Sequence, residues 1–195
     1  MTTSTDHQLI ENTLQGNTQA FSVLVERYQN FVFTIAVRML RNREEAEEVA
    51  QDSFIKAFEA LSTYRGEAKF SSWLYSIAYR KTLDRIRKNN HSRTIELVED
   101  ITETETEDIE NALHFIQIQE RNELIKKGIE QLPEQEAAII TFFYFEELSI
   151  KEISEITQLS EDNVKIKLYR SRKKLFILLK YYVLPQYTNS NGSAI

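Results

Sequence analysis

Cysteine is absent from the 195-residue sequence, which excludes a disulfide framework and thiolate metal sites. Only four glycines and two prolines occur, and this scarcity of chain breakers disfavours a turn-rich β fold and suits long helices. No apolar run approaches the roughly 20 residues that span a bilayer. The first residues also lack a basic segment followed by an apolar core. We therefore expect a cytoplasmic helical protein without a signal peptide or membrane insertion.

Catalytic groupings are missing as well. The three histidines, His7, His91 and His114, share no spacing with each other or with paired acids that would form a metal or catalytic site. No glycine-rich phosphate loop occurs, and the many glutamates resemble solvated faces and a linker. We expect a protein that is not an enzyme and that needs no cofactor, metal or small-molecule substrate.

The net charge is −6, but the acidic and basic residues lie in separate stretches of the sequence. Six Lys or Arg and one Asp lie between Arg80 and Arg93, whereas ten acids and a single Arg lie between Glu96 and Glu123. From Asn163 onward there are seven Lys or Arg and no acid. The acidic stretch has little apolar periodicity, so we interpret it as a linker between two helical blocks.

The front block, near residues 7–90, has the apolar spacing of amphipathic helices. Asn42 and Glu45 resemble a capping box, residues 62–70 form a loop, and Ser71 is placed to cap the last helix. One predicted apolar face comprises Ala46, Val49, Ala50, Ser53, Phe54, Ala57 and Leu61.

The rear block, near residues 115–182, contains a helix-turn-helix pattern. Ser149 and Glu152 make a capping box for a short helix, residues 157–159 form a turn, and Ser160 caps a second, basic helix. The second helix of such a motif fits the DNA major groove, where its first residues reach base edges and later cations reach phosphates. The expected DNA-contacting residues are Ser160, Asn163, Lys165, Lys167, Arg170, Arg172, Lys173 and Lys174.

Two alternatives accompany this interpretation of the second helix. Its cations could be merely solvated, although the absence of acid from Asn163 onward argues against that. Glu161 and Asp162 could accept a hydrogen bond from cytosine, but we favour stabilisation of the helix start, by roughly 0.3–1 kcal/mol each.

An aromatic segment precedes the basic residues 80–88. Rings interleaved with cations suit single-stranded nucleic acid, because bases stack on the rings while the cations follow the backbone. The alternative is that the rings belong to the core. The apolar register favours the core for Phe70 and Trp73, whereas Tyr64, Tyr75 and Tyr79 are less constrained.

Residues 20–88 and 129–179, in this order and spacing, resemble regions 2 and 4 of the extracytoplasmic-function (ECF) group of sigma-70 sigma factors. The resemblance implies an all-α protein of two small helical domains joined by an acidic linker. A region 2-like helical bundle would span residues 1–92, the flexible linker 93–117, and a region 4-like helix-turn-helix domain 118–182. A polar tail of no assigned function would follow at 183–195.

The resemblance also implies partners and roles. Region 4 would read the −35 element and meet the polymerase β flap, and the acidic linker would thread toward the active centre and RNA exit path. Core RNA polymerase, promoter DNA and an anti-sigma factor are the implied partners. Residues implied to bind the polymerase β′ clamp are Glu48, Gln51, Asp52, Phe54 and Ile55. Residues implied to melt and capture the −10 element are Tyr64, Arg65, Lys69, Trp73, Tyr75, Tyr79, Arg80, Arg85, Arg87 and Lys88.

Two positions depart from the family pattern. Arg80 stands where many members have Asn, which gives the −10 pocket different hydrogen-bonding chemistry. Gln158 stands where many members have Gly. If the backbone there needs a positive φ, Gln158 carries strain of roughly 1 kcal/mol; otherwise the turn itself differs.

The expected function is promoter-specific initiation by core RNA polymerase, with −35 and −10 recognition and DNA melting. One alternative is a stand-alone helix-turn-helix regulator, which would bind duplex DNA tightly without polymerase and usually as a dimer. Another is a helical adaptor, for which neutralising Lys165, Lys167 and Arg170 would change nothing. The basic aromatic helix and the acidic linker are unexplained by a stand-alone regulator.

Overall fold

The computed structural model describes residues 5–90 and 118–183, and within these ranges every regular element is helical. The front unit consists of α1 (Asp6–Leu14), α2 (Thr18–Leu40), α3 (Arg43–Glu59) and α4 (Phe70–Asn90), with a short 3-10 turn at Leu61–Thr63. The rear unit consists of α5 (Ile118–Glu130), α6 (Glu134–Phe145), α7 (Ile150–Thr157) and α8 (Glu161–Val183). None of these helices is long and apolar enough to cross a membrane.

Helix starts follow local capping chemistry. The Asn42 side chain accepts a hydrogen bond from the Glu45 N–H at 3.2 Å, so the N-cap half of the capping box predicted for α3 is present. The Glu45 carboxylate accepts from the Asn42 side-chain amide and not from its backbone N–H, so the box is incomplete. Ser149 accepts from the Glu152 N–H, and the Glu152 carboxylate accepts from the Ser149 N–H at 2.9 Å. The predicted capping box of α7 is therefore confirmed. The prediction for Ser71 is wrong, because α4 begins one residue earlier, at Phe70.

The front unit is a bundle in which α3 and α4 pack on the long helix α2. The predicted apolar face of α3, including Ala46, Ser53 and Ala57, is buried, as is Leu61 just beyond it. Asp6 on α1 contacts both the Arg27 guanidinium and the Tyr28 hydroxyl of α2. These contacts fix the first helix against the bundle, and burial raises the pKa of Tyr28.

Helix α6 is buried on every side over most of its length. Ala137, Ile140 and Phe143 lie on one face of this helix by their spacing. Ala138, Ile139 and Phe142 are buried as well. The reason is that α7 and α8 cover one side of α6 while α2 of the front unit covers the other.

The two units therefore form one continuous apolar core in this arrangement. The predicted linker, 93–117, and the tail beyond Val183 lie outside the described residues. The predicted domain boundaries therefore stay predictions. The last helix of the front unit ends at Asn90, and the first helix of the rear unit begins at Ile118.

Candidate nucleic-acid interface

The turn between α7 and α8 has the geometry of a helix-turn-helix. Gln158 ends α7 in the left-handed region, with φ 60° and ψ 25°, and its side-chain amide donates to the Glu155 carbonyl at 2.7 Å. The strained form of the turn is thus the one adopted. Ser160 then accepts a hydrogen bond from the Asn163 N–H at 3.3 Å, as expected for the cap of α8.

The first three turns of α8 present an exposed polar face. Asn163, Lys165 and Arg170 are exposed, and Lys167 is half-buried, while Val164 and Leu168 point into the core. This division is what insertion of one helix face into a groove requires. The Lys165 ammonium lies 3.1 Å from the Asp162 carboxylate. Asp162 therefore contacts the neighbouring cation in addition to standing in the first turn of the helix.

Two apolar side chains on the same helix were missed by the sequence reasoning. Ile166 is 49% exposed and Tyr169 is 39% exposed, although both are large. The available signal was that neither belongs to the inward register of Val164 and Leu168. An exposed aliphatic group on a groove-facing helix suits contact with a thymine methyl group.

Two of the later cations of α8 contact residues of α6. The Arg172 guanidinium lies over the rings of Phe143 and Tyr144, at 5.3 and 5.5 Å from their centres. The Lys174 ammonium lies 3.2 Å from the buried Glu136 carboxylate. Both cations therefore contact α6 in this arrangement, and their expected contacts with DNA phosphates stay a prediction. Lys173, also predicted at the phosphates, is half-buried.

A three-ring cluster lies where the loop before α4 meets that helix. Tyr64 lies 5.8 Å from Phe70 and 5.5 Å from Trp73, between ring centres, and its hydroxyl donates to the Ala68 carbonyl at 2.6 Å. Phe70 is buried, as its register predicted, whereas Tyr64 and Trp73 are half-buried. Arg65 beside them is exposed. The loop can therefore offer two ring edges and a cation to an unpaired base.

Tyr75 and Tyr79, unlike Tyr64 and Trp73, are not accessible to an unpaired base in this arrangement. They are only 2% and 1% exposed, because the rear unit covers them, so the −10 contact implied for them is not accessible in this arrangement. The Tyr75 hydroxyl donates to the Glu146 carboxylate at 2.9 Å, and burial raises the pKa of both groups. Burial also raises the pKa of Tyr79 to about 12.

The basic end of α4 borders a groove of about 580 Å³ shared with α3. Arg80 and Lys88 are exposed beside it. The Arg85 guanidinium lies 2.8 Å from Glu48, and the Lys81 ammonium lies 3.3 Å from Asp52. Arg87 pairs with Asp84 at 3.2 Å on its own helix. The groove thus combines cations that remain accessible with cations partly neutralised by α3.

The five predicted polymerase-binding residues divide between two faces of α3. Gln51, Phe54 and Ile55 line a second groove of about 580 Å³ between α2 and α3. Ile55 is 59% exposed there, so its aliphatic side chain is accessible to a partner. Glu48 and Asp52 instead face the cations of α4. Among the residues that the structure describes, no cluster of His, Asp and Glu could hold a metal ion.

Comparison with known proteins gives the same two regions. Residues 24–92 match the family model of sigma-70 region 2, and residues 122–175 match that of sigma-70 region 4. The chain is 32% identical over 184 residues to the RNA polymerase sigma-H factor of Pseudomonas aeruginosa, covering 90% of this chain and 94% of that one. It is 31% identical over 179 residues to the ECF RNA polymerase sigma factor SigW of Bacillus subtilis, covering 85% and 92%.

A solved structure has a similar fold. It is the sigma factor RpoE of Bartonella quintana in complex with the anti-sigma factor NepR. The TM-score is 0.63 at 16% identity, covering 82% of this chain and 96% of that one.

Proposed function

The chain belongs to the ECF group of the sigma-70 family of RNA polymerase sigma factors, and from that premise we propose that it directs core polymerase to promoters with separate −35 and −10 elements. The observation that carries the proposal is the exposed first half of α8, held behind a capped turn. The same chain presents a ring-and-cation surface on α4. Two DNA-facing surfaces on one chain suit a two-element site.

Recognition of the −35 element is assigned to α8. Asn163, Lys165 and Ile166 are exposed near its first turn, where a groove-inserted helix meets base edges. Arg170, one turn later, is placed for a phosphate contact. Arg172 and Lys174 act instead by holding α8 to α6, so they position the reading face.

Melting of the −10 element is assigned to the loop before α4 and to α4 itself. Tyr64 and Trp73 offer half-buried rings on which unpaired bases can stack. Arg65, Arg80 and Lys88 are exposed cations that can follow the displaced strand. Strand opening is then driven by preferential binding of single-stranded bases, and the chain performs no catalysis of its own.

Attachment to the polymerase clamp is assigned to the exposed side of α3. Ile55 supplies an apolar contact in the α2–α3 groove, and Glu48 and Asp52 supply charge on the side of α3 that faces α4. Because the fold resembles that of a sigma factor bound to an anti-sigma factor, an anti-sigma factor is a further proposed partner. We place the protein in the cytoplasm, where the polymerase is.

The test is transcription in vitro from fragmented genomic DNA of the source organism, by its core polymerase with and without this protein. We expect new, discrete start sites that share two upstream sequence elements. Tight binding to duplex DNA without polymerase, together with no specific initiation, would overturn the proposal in favour of a stand-alone regulator.

A further inference from the structure

A carboxylate of α1 holds two side chains of the neighbouring helix α2. Asp6 accepts hydrogen bonds from the Arg27 guanidinium and from the Tyr28 hydroxyl. The Asp6 and Arg27 side chains are 27% and 29% exposed, so water competes with these bonds only in part. Hydrogen bonds to an ionised acceptor are the strong ones in proteins. Asp6 therefore fixes where the Tyr28 side chain stands.

The Tyr28 ring in turn supports the three-ring cluster of Tyr64, Phe70 and Trp73. Its centre lies 5.7 Å from that of Phe70. Phe70 is buried, and its ring centre lies 5.8 Å from that of Tyr64 and 5.7 Å from that of Trp73. A row of contacts thus leads from a residue of α1 to the two half-buried rings that the proposed function offers to unpaired bases.

Helix α1 also approaches the loop that carries Tyr64. It packs against the 3-10 turn Leu61–Thr63, which directly precedes that residue. Burial raises the pKa of the Tyr64 hydroxyl, and the negative charge of Asp6 raises it further. Residues 64–69, here named the −10 loop, contain no regular element, so their position depends on the helices that surround them.

We propose that Asp6 is a positioning residue for the −10 loop and acts through the Tyr28 ring on the three-ring cluster. A loop that is held in place before binding loses less conformational freedom when bases stack on it. Without the Asp6 carboxylate, the Tyr28 hydroxyl lacks its acceptor, and ordering of the loop then lowers the affinity for −10 bases. The effect on DNA binding rests on the proposed function, whereas the link from Asp6 to the ring cluster does not.

The link can be measured in the full-length chain by fluorescence, because Trp73 is the only tryptophan in the sequence. Asp6→Ala removes the carboxylate, and Tyr28→Phe removes the hydroxyl but keeps the ring. We expect both variants to shift the emission of Trp73 to longer wavelength and to increase its quenching by acrylamide, because a loosened cluster admits water to the indole. Glu11→Gln is the matched control, since it removes an exposed carboxylate of the same helix that pairs with His7. Its emission should equal that of the unaltered chain.

A double variant distinguishes action through Tyr28 from a general loosening of α1. If Asp6 acts through the Tyr28 hydroxyl, Asp6→Ala combined with Tyr28→Phe should shift the emission no further than Asp6→Ala alone. Shifts that add would overturn the link through Tyr28, as would unchanged emission in both single variants. Circular dichroism shows whether each variant is folded. If Asp6→Ala is not, the comparison of Tyr28→Phe with Glu11→Gln decides alone.

Promoter opening is the second readout, measured with saturating holoenzyme on a promoter mapped by transcription in vitro. We expect Tyr28→Phe to lower the permanganate reactivity of the −10 thymines several-fold on duplex DNA. The loss should be much smaller on a promoter whose −10 strands are already separated by mismatches, because weaker capture of bases matters less where no melting is needed. Co-elution with core polymerase should be unchanged.

Each other outcome of the promoter assay has a separate meaning. Equal losses on both templates, or a parallel loss of co-elution, would overturn the positioning role. Unchanged opening despite a shifted Trp73 emission would overturn the role in DNA binding and leave the link from Asp6 standing. Absence of promoter-specific initiation by the unaltered chain would instead count against the proposed function alone.

Discussion

Lys165 is the side chain that tests the proposed DNA reading by α8 most directly. It is exposed, and the contact made by its ammonium is with Asp162 on the same helix. Lys165→Ala should reduce run-off transcription from promoters that depend on the −35 element by roughly tenfold, the effect of losing one contact of about 1.4 kcal/mol. Lys151→Ala, an exposed lysine on α7, is the matched control. Equal output from both variants would remove Lys165 from the interface.

Gln158 occupies a backbone conformation that favours glycine. Its φ of 60° costs a residue with a Cβ about 1 kcal/mol, and the hydrogen bond to the Glu155 carbonyl offsets only part of this cost. Gln158→Gly should therefore raise the free energy of unfolding by up to about 1 kcal/mol in urea titrations. Gln158→Ala keeps the Cβ and loses the hydrogen bond, so it should not stabilise the chain. A lower midpoint for the glycine variant would contradict this explanation of the turn.

The hydrogen bonds at helix starts were the feature most readily predicted from the sequence. The caps at Asn42 and Ser149 depend on residues three apart, so their partners could be read from the sequence. The burial of Tyr75 and Tyr79 could not be predicted. Helical register states which side chains share a face, but not whether a distant part of the chain covers that face.

Among the helices, α7 depends strongly on its capping box. Because Ser149 and Glu152 satisfy each other's backbone N–H groups, Ser149→Ala should lower the free energy of unfolding by about 1 kcal/mol. Ser149→Asp retains an acceptor at the cap and should lose much less. The measurement is chemical unfolding followed by circular dichroism. Equal losses in both variants would show that the side-chain cap does not hold α7.

Helix α3 presents its proposed polymerase-binding residues on two faces, which allows their roles to be separated. Asp52→Arg should abolish co-elution with core polymerase while the fold is retained. It also places a cation against Lys81, whose ammonium now lies 3.3 Å from Asp52. Ile55→Arg, in the α2–α3 groove, tests the other face without breaking that ion pair. Undiminished co-elution of both variants would remove α3 from the clamp interface.

The ion pairs between α3 and α4 could not be predicted from the sequence, because they depend on how the two helices pack. Glu48 and Arg85 are each conspicuous in the sequence, but their 2.8 Å contact depends on how two helices are aligned along each other. The same holds for the all-round burial of α6. Its apolar residues could be identified from the sequence, but the packing of the front unit against its second side could not be predicted.

For the molecule as a whole, the segregation of charge predicts dependence on the polymerase. The net charge of −6 opposes DNA binding by the free chain, although α8 and α4 are locally basic. Fluorescence anisotropy with promoter duplex at physiological salt should show weak binding by the chain alone and strong binding with core polymerase. Comparable affinity with and without polymerase would contradict this account and favour a stand-alone regulator.

The assignment of two DNA elements to two units can be tested by cleavage from tethered iron–EDTA. The chain has no cysteine, so Tyr169→Cys on α8 and Asp84→Cys beside the α4 groove each give one attachment point. In holoenzyme on a mapped promoter, the α8 tether should cut the upstream element and the α4 tether the element nearer the start site. Cleavage of a single shared segment by both tethers, or of neither element, would contradict the assignment.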